Sequence, residues 1–133
     1  MNRDFIYRAL VSLNLDLVAK RIYRNRLRII MFHGIIDDNL STDSWWLLKS
    51  SKFVQQIEYL SRNFEFLSLD QALSESQLPE HPCVLTFDDG YKSMITHVYP
   101  VLKKRRIPFT IYVTTGPVER NELIWTDTVF HFL

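Results

Sequence analysis

The stretch Cys83-Val84-Leu85-Thr86-Phe87-Asp88-Asp89-Gly90-Tyr91 decides the reading of this chain. Its first five residues form a short run apolar on both faces. That pattern belongs to a strand covered by helices on both sides, the situation of a parallel sheet. The run ends directly on two carboxylates and a glycine. In parallel α/β folds, functional groups gather where strands end at their C-terminal side and loops open onto a crevice. Asp88 and Asp89 stand at such an end.

The residues alone leave three readings of this step open. Asp-Gly is a strong hairpin-turn dipeptide, but a hairpin needs an alternating strand behind it. Tyr91-Lys-Ser-Met-Ile-Thr96 looks instead like a loop entering a helix. An acidic residue near a helix start also serves simply to favour the helix dipole. Third, neighbouring carboxylates diverge at a strand end, so one can bind a cation through oxygen and the other accept a proton from water. Gly90 lets the backbone turn beneath them.

Working outward, strands alternate with helices. Upstream, Arg28-Ile-Ile-Met-Phe-His33, closed by Gly34, reads as a buried strand, followed by a loop containing Asp37, Asp38, Asn39 and Ser41. Ser50 or Ser51 is positioned to cap a helix whose stripe is Phe53, Ile57 and Leu60. Phe64–Leu69 reads as a strand, and Ser68 or Asp70 as the cap of a short helix. Downstream, a helix is expected from Lys92 to Arg106 with Pro100 a kink or restart. A strand over Pro108–Thr114, ended by Gly116-Pro117, precedes a helix from Trp125 onward, capped by Thr126 or Asp127. The alternation predicts an α/β fold with four parallel strands.

Before this unit, Ile6, Leu10, Leu13, Leu17 and Ile22 recur at helical spacing, giving an N-terminal amphipathic helix over Asp4–Asn25. Residues 1–28 hold seven Lys or Arg against Asp4 and Asp16, a balance of +5, which leaves −4 for the remainder of a chain of net charge +1. Such a segment is either a solvated helix face or a contact for an anionic membrane surface or partner. The total gives no reason to expect nucleic acid. The division expected is 1–25, basic helix, and 26–133, the α/β unit.

The 133 residues are 47% hydrophobic and 14% aromatic, enough for a folded core. The single cysteine, Cys83, excludes an intrachain disulfide and fits a small core hydrophobe. No apolar run reaches the roughly 18–20 residues that span a bilayer. Phe5–Ala19 is interrupted by Arg8, Asn14 and Asp16, so no signal peptide is read, and a cytoplasmic or membrane-peripheral location is expected. The apolar ending Phe130-His-Phe-Leu133 leads us to expect a truncated unit.

Thr86-Phe-Asp-Asp-Gly-Tyr91 resembles the first signature of the polysaccharide deacetylases of carbohydrate esterase family 4. Ile30-Met-Phe-His-Gly-Ile35 is similar to the opening strand of many members. Phe53-Val-Gln-Gln-Ile-Glu-Tyr-Leu60, Phe66-Leu-Ser-Leu69, Tyr99-Pro-Val-Leu102, Ile107–Gly116 and Ile124-Trp-Thr-Asp127 resemble segments around it. The resemblance runs from about Arg26 to the C-terminus.

The resemblance implies a partial, incomplete (β/α) barrel and a metal-dependent hydrolase that removes acetyl groups, chiefly N-acetyl, from a polysaccharide. It makes Asp88 the catalytic base and Asp89 a ligand of a divalent metal, zinc above all. His33, Gly90 and Tyr91 would line the site. The family's second signature, a His-x-x-x-His pair, is missing: the four histidines stand at 33, 81, 97 and 131. Catalytic zinc takes about three protein ligands, so the chain alone is expected to be inactive. The readings left are a fragment completed elsewhere in the chain or on another chain, an inactive remnant, and a non-enzymatic binding module.

Overall fold

A computed structural model of the chain describes residue 12 and residues 15–41 and 44–131. The first described helix, α1, is Leu15–Ile22. Of the rest of the helix expected over Asp4–Asn25, only Ser12, which is helical, and Tyr23–Asn25, which form turns, are described; the remainder lies outside the described residues. Leu15, Val18 and Ile22 recur at helical spacing and all remain exposed.

The strand expected at Cys83 is β5, Pro82–Phe87, preceded in the chain by β1 (Arg28–Phe32), β2 (Gly34–Ile36), β3 (Leu47–Lys49) and β4 (Glu65–Phe66). Every residue of β5 is buried. β1 runs parallel to it along its length, from Arg28 opposite Cys83 to Phe32 opposite Phe87. β4 pairs with the start of β5, at Pro82 and Cys83. β6 (Thr110–Ile111) pairs with its end, at Thr86 and Phe87. All pairings are parallel, giving a four-stranded sheet centred on β5. The described residues form an α/β fold but no closed barrel.

One face of this sheet carries the core. Helix α2 (Ser50–Asn63) buries Phe53, Ile57 and Leu60 against it, the stripe expected from sequence. Phe32, Phe53 and Phe87 form a ring cluster: Phe32 stacks on Phe87 at 5.4 Å, and Phe53 meets both edge-on. Aromatic rings favour these offset and edge contacts because their faces are negative and their edges positive.

The strand Arg28–His33 was expected to be buried, but only one of its faces is. Phe32 is 9% exposed and Ile30 packs on the core, whereas Ile29 and Met31 are 56% and 55% exposed. Alternation along a strand sends successive residues to opposite faces, and β1 borders the sheet. An apolar run therefore concealed a one-sided strand.

The loop expected after Gly34 contains a second, two-stranded parallel sheet of β2 and β3. A side chain at Gly34 would collide with that of Leu47 on β3, so the glycine admits this close pairing. Nor do Ser50 or Ser51 cap α2. The helix follows Lys49 without a cap from its own N-terminal residue. Asp38 supplies the acceptor across the loop: Oδ1 accepts from the Ser51 N–H at 3.2 Å and the Ser51 hydroxyl at 2.7 Å, and Oδ2 from the Ser50 hydroxyl at 3.1 Å. These bonds, the Ser51 hydroxyl first, hold the Asp38 carboxyl below its ordinary pKa.

Ser68 does cap α3 (Leu69–Ser74), in a reciprocal capping box with Gln71. The strands expected over 64–69 and 108–114 shrink to β4 and β6. The helix expected over 92–106 is a π-helical turn, Met94–Val98, followed by α4, Tyr99–Arg105. Pro100 sits in the first turn of α4, where its missing N–H costs little. Gly116-Pro117 does not terminate structure but lies in α5, Thr115–Arg120. In α6, Trp125–His131, Thr126 and Asp127 fall inside the first turn rather than at the cap. No helix among the described residues is long and apolar enough to cross a membrane.

Candidate active site at the end of strand β5

The sheet hydrogen bonds hold the backbone up to the acidic step and then release it. The Asp88 N–H donates to the Phe32 carbonyl at 2.9 Å, and the Tyr112 N–H to the Phe87 carbonyl at 2.8 Å. Asp89 and Gly90 then take φ of 70° and 71°, both left-handed. Asp tolerates this region better than most residues, and glycine occupies it without strain. A Cβ at Gly90 would also come within 3.1 Å of Val113. The turn is therefore neither a hairpin nor a helix cap; it reverses the chain under two carboxylates.

Those carboxylates diverge. Asp88 Oδ2 lies 4.0 Å from Nε2 of His33, the residue that follows β1. Both side chains are partly open to solvent, at 30% and 21% exposure. Asp89 Oδ1 accepts a hydrogen bond from the Thr114 hydroxyl at 3.2 Å. Asp88 borders a cleft of about 510 Å³ on the open face of the sheet, with Ile29, Met31, Thr86 and Tyr112. Asp89 borders this cleft and a second pocket of about 370 Å³, lined by His33, Trp45, Trp46, Trp125, Thr126 and Val129.

Tyr91 closes the turn. Its phenol donates to Asp127 Oδ1 of α6 at 3.0 Å. Burial, then the bond to Asp127 and the negative charges of Asp127 and Asp89, push the phenol far above its ordinary pKa. Ser93 continues the support, its hydroxyl accepting from the Ile35 N–H at 3.1 Å.

Five residues singled out from sequence thus come together: His33, Asp88, Asp89, Gly90 and Tyr91. His97 and His81 are engaged elsewhere. His97 sits between the Asp37 carboxylate, at 2.9 Å, and the Thr96 hydroxyl, at 2.7 Å. His81 precedes β5, at the opposite end of the strand, with its ring edge-on to Phe64. The side chain of His131 lies outside the described residues. Sequence reasoning missed the wall formed by Trp45 and Trp46, and it took Asp127 for a cap. The signal available was that the chain has only three tryptophans.

A catalytic zinc needs about three protein ligands. Among the described residues no group of three or more His, Cys, Asp or Glu is placed to hold a metal ion. The donors present do not by themselves fit a zinc centre.

The central strand of a parallel α/β sheet thus ends in a divergent acidic pair. Residues 75–129 match the family model of polysaccharide deacetylase. A poly-β-1,6-N-acetyl-D-glucosamine N-deacetylase of Staphylococcus aureus (strain MSSA476) is 33% identical over 75 residues, 53% of this chain and 26% of that protein. The structure of IcaB from Ammonifex degensii superposes with a TM-score of 0.60 at 31% identity, covering 68% of this chain and 39% of that one. The Streptococcus pyogenes deacetylase PplD, solved in complex with acetate, gives 0.60 at 30% identity, covering 71% and 45%. Over this part of its length the chain is similar to polysaccharide deacetylases. It spans about a quarter of the Staphylococcus aureus relative.

Proposed function

We propose that this chain carries the acidic-pair portion of a polysaccharide N-deacetylase domain, residues 26–133, acting on an acetylated glucosamine polymer. The observation that supports this reading most is the divergence of Asp88 and Asp89 at the end of β5, one beside His33 and the other beside Thr114. Asp88, partly open to water and next to an imidazole, is the group we assign to proton acceptance. Asp89 is the carboxylate we assign to a divalent metal, zinc above all. The substrate class comes from the relatives named for poly-β-1,6-N-acetyl-D-glucosamine.

On this reading the chain does not turn substrate over alone, because catalytic zinc takes about three protein ligands and the described residues group no three such donors. The remaining ligands then come from elsewhere in a longer chain or from another chain. With zinc added, the 133-residue chain is expected to release no acetate from an acetylated β-1,6-glucosamine oligomer; zinc-dependent release would overturn this part of the proposal. Any metal retained should be lost in Asp89→Ala, measured by calorimetric titration.

The basic N-terminal segment adds a peripheral contact to the proposal. Leu15, Val18 and Ile22 are exposed on α1, in a segment of net charge +5. An apolar helix face bordered by cations suits an anionic lipid surface.

A further inference from the structure

We infer that the free edge of β1 is a docking surface for a second copy of this chain, the two β1 strands pairing antiparallel about a two-fold axis at Ile30. β1 (Arg28–Phe32) borders the four-stranded sheet and, among the described residues, pairs only with β5. The Phe32 carbonyl accepts from the Asp88 N–H, so Phe32 turns its backbone groups toward β5. Alternation gives Ile30 the same direction and sends the N–H and C=O of Ile29 and Met31 to the outer edge. Such an edge is a template for another strand unless proline, lysine or a bulge blunts it. β1 carries neither residue, and its register with β5 is continuous. Its one charge is turned away: the Arg28 guanidinium donates to the Arg26 and Tyr23 carbonyls, at 2.9 and 3.0 Å, and lies 5.0 Å over the Phe64 ring.

The occupant follows from self-complementarity, which a two-fold contact between identical surfaces requires. With the axis at Ile30, Ile29 of one copy lies opposite Met31 of the other, and Met31 opposite Ile29. These are the residues whose backbone groups face outward, so each opposed pair exchanges both of its N–H···O bonds. Their side chains share the open face of the sheet, where they are 56% and 55% exposed, so apolar surface meets apolar surface. The molecule also has area to cover. It exposes 9995 Å² at a mass of 15.9 kDa, where a folded monomer of that mass exposes about 7,400 Å². The difference, about 2,600 Å², exceeds the roughly 800 Å² that each partner contributes to a standard interface. The inference does not depend on the deacetylase reading.

The test is sedimentation velocity of the full chain over a concentration series, with wild type, Ile29→Lys combined with Met31→Lys, and Ile95→Lys as a control. All three positions are exposed, so the substitutions leave the core intact; circular dichroism checks this. Wild type should dimerise reversibly. The double variant sets like charges opposite one another and should weaken association by about tenfold or more, while Ile95→Lys should not change it. Register is read by oxidation, with Cys83 buried and out of play. A mixture of Ile29→Cys and Met31→Cys chains should cross-link, because opposed residues stand about 5.5 Å apart between Cα atoms. Ile29→Cys alone should not, because its two copies are offset along the strands beyond the roughly 7 Å that a disulfide spans. A chain monomeric at every concentration, as when a further segment of a longer chain covers β1, overturns the inference. So does an open-ended series of aggregates, a dimer indifferent to the double variant, or cross-linking of Ile29→Cys alone in preference to the mixture.

Discussion

The Tyr91 phenol reaches across 36 residues to donate a 3.0 Å hydrogen bond to Asp127, tying the loop after the acidic step to helix α6. That one bond links the turn holding the carboxylates to the helix holding Trp125. Tyr91→Phe should lower stability by about 1 kcal/mol, the usual net value of such a bond, seen as a shift in the urea midpoint.

The burial of this phenol, reinforced by the same bond, predicts an alkaline signature. The folded pKa of Tyr91 is raised above the ordinary value near 10. The unfolded chain therefore loses this proton first as pH rises. The stabilising contribution is complete below about pH 10 and declines above it, toward the raised folded value. Wild type should lose stability above pH 10 more steeply than Tyr91→Phe, measured as melting temperature against pH.

Asp38 provides the opposite case. Its folded pKa is lowered by the Ser51 and Ser50 bonds, so its contribution is present above the ordinary carboxyl range and lost as pH falls through the folded value. Asp38→Ala should lower the melting temperature at neutral pH. The difference between variant and wild type should vanish in acid.

Gly90→Ala should be costly for two separate reasons. Its φ of 71° is left-handed, and its Cβ would press on Val113. The conformational part alone is about 1–2 kcal/mol. Chemical denaturation measures the sum, and a neutral substitution would contradict the backbone account of the turn.

The peripheral contact of α1 has its own check. The chain should co-sediment with vesicles of about one-third anionic lipid and be released by high salt. Binding unchanged in Arg21→Glu with Arg24→Glu would contradict an electrostatic contact.

What was legible in the sequence follows from where structure is local. The β5 run, the α2 stripe and the Ser68 cap depend on neighbours in the chain, and each has the expected place. The acidic step was readable because a two-faced apolar strand ends on it. Features created by distant pairs were not. The cap of α2 comes from Asp38, a loop residue 12 or 13 positions away, where spacing pointed to the adjacent serines. The β2–β3 sheet depends on Gly34 meeting Leu47. The exposure of Ile29 and Met31 depends on β1 bordering the sheet, which no apolar pattern records. The tryptophan pocket assembles from a loop and a helix about 80 residues apart, and spacing rules carry no information at that range.

The central claim is that Asp88 and Asp89 form the acidic pair of an N-deacetylase site. The most direct measurement is acetate release from an acetylated β-1,6-glucosamine oligomer by a chimera. The 75 matched residues of this chain would replace the matched segment of the Staphylococcus aureus poly-β-1,6-N-acetyl-D-glucosamine N-deacetylase, which supplies the rest of its own fold. The account predicts turnover by the chimera, falling by about 10²–10⁴ in Asp88→Asn while the protein stays folded. A folded chimera with no turnover, or one whose turnover survives Asp88→Asn, would contradict it.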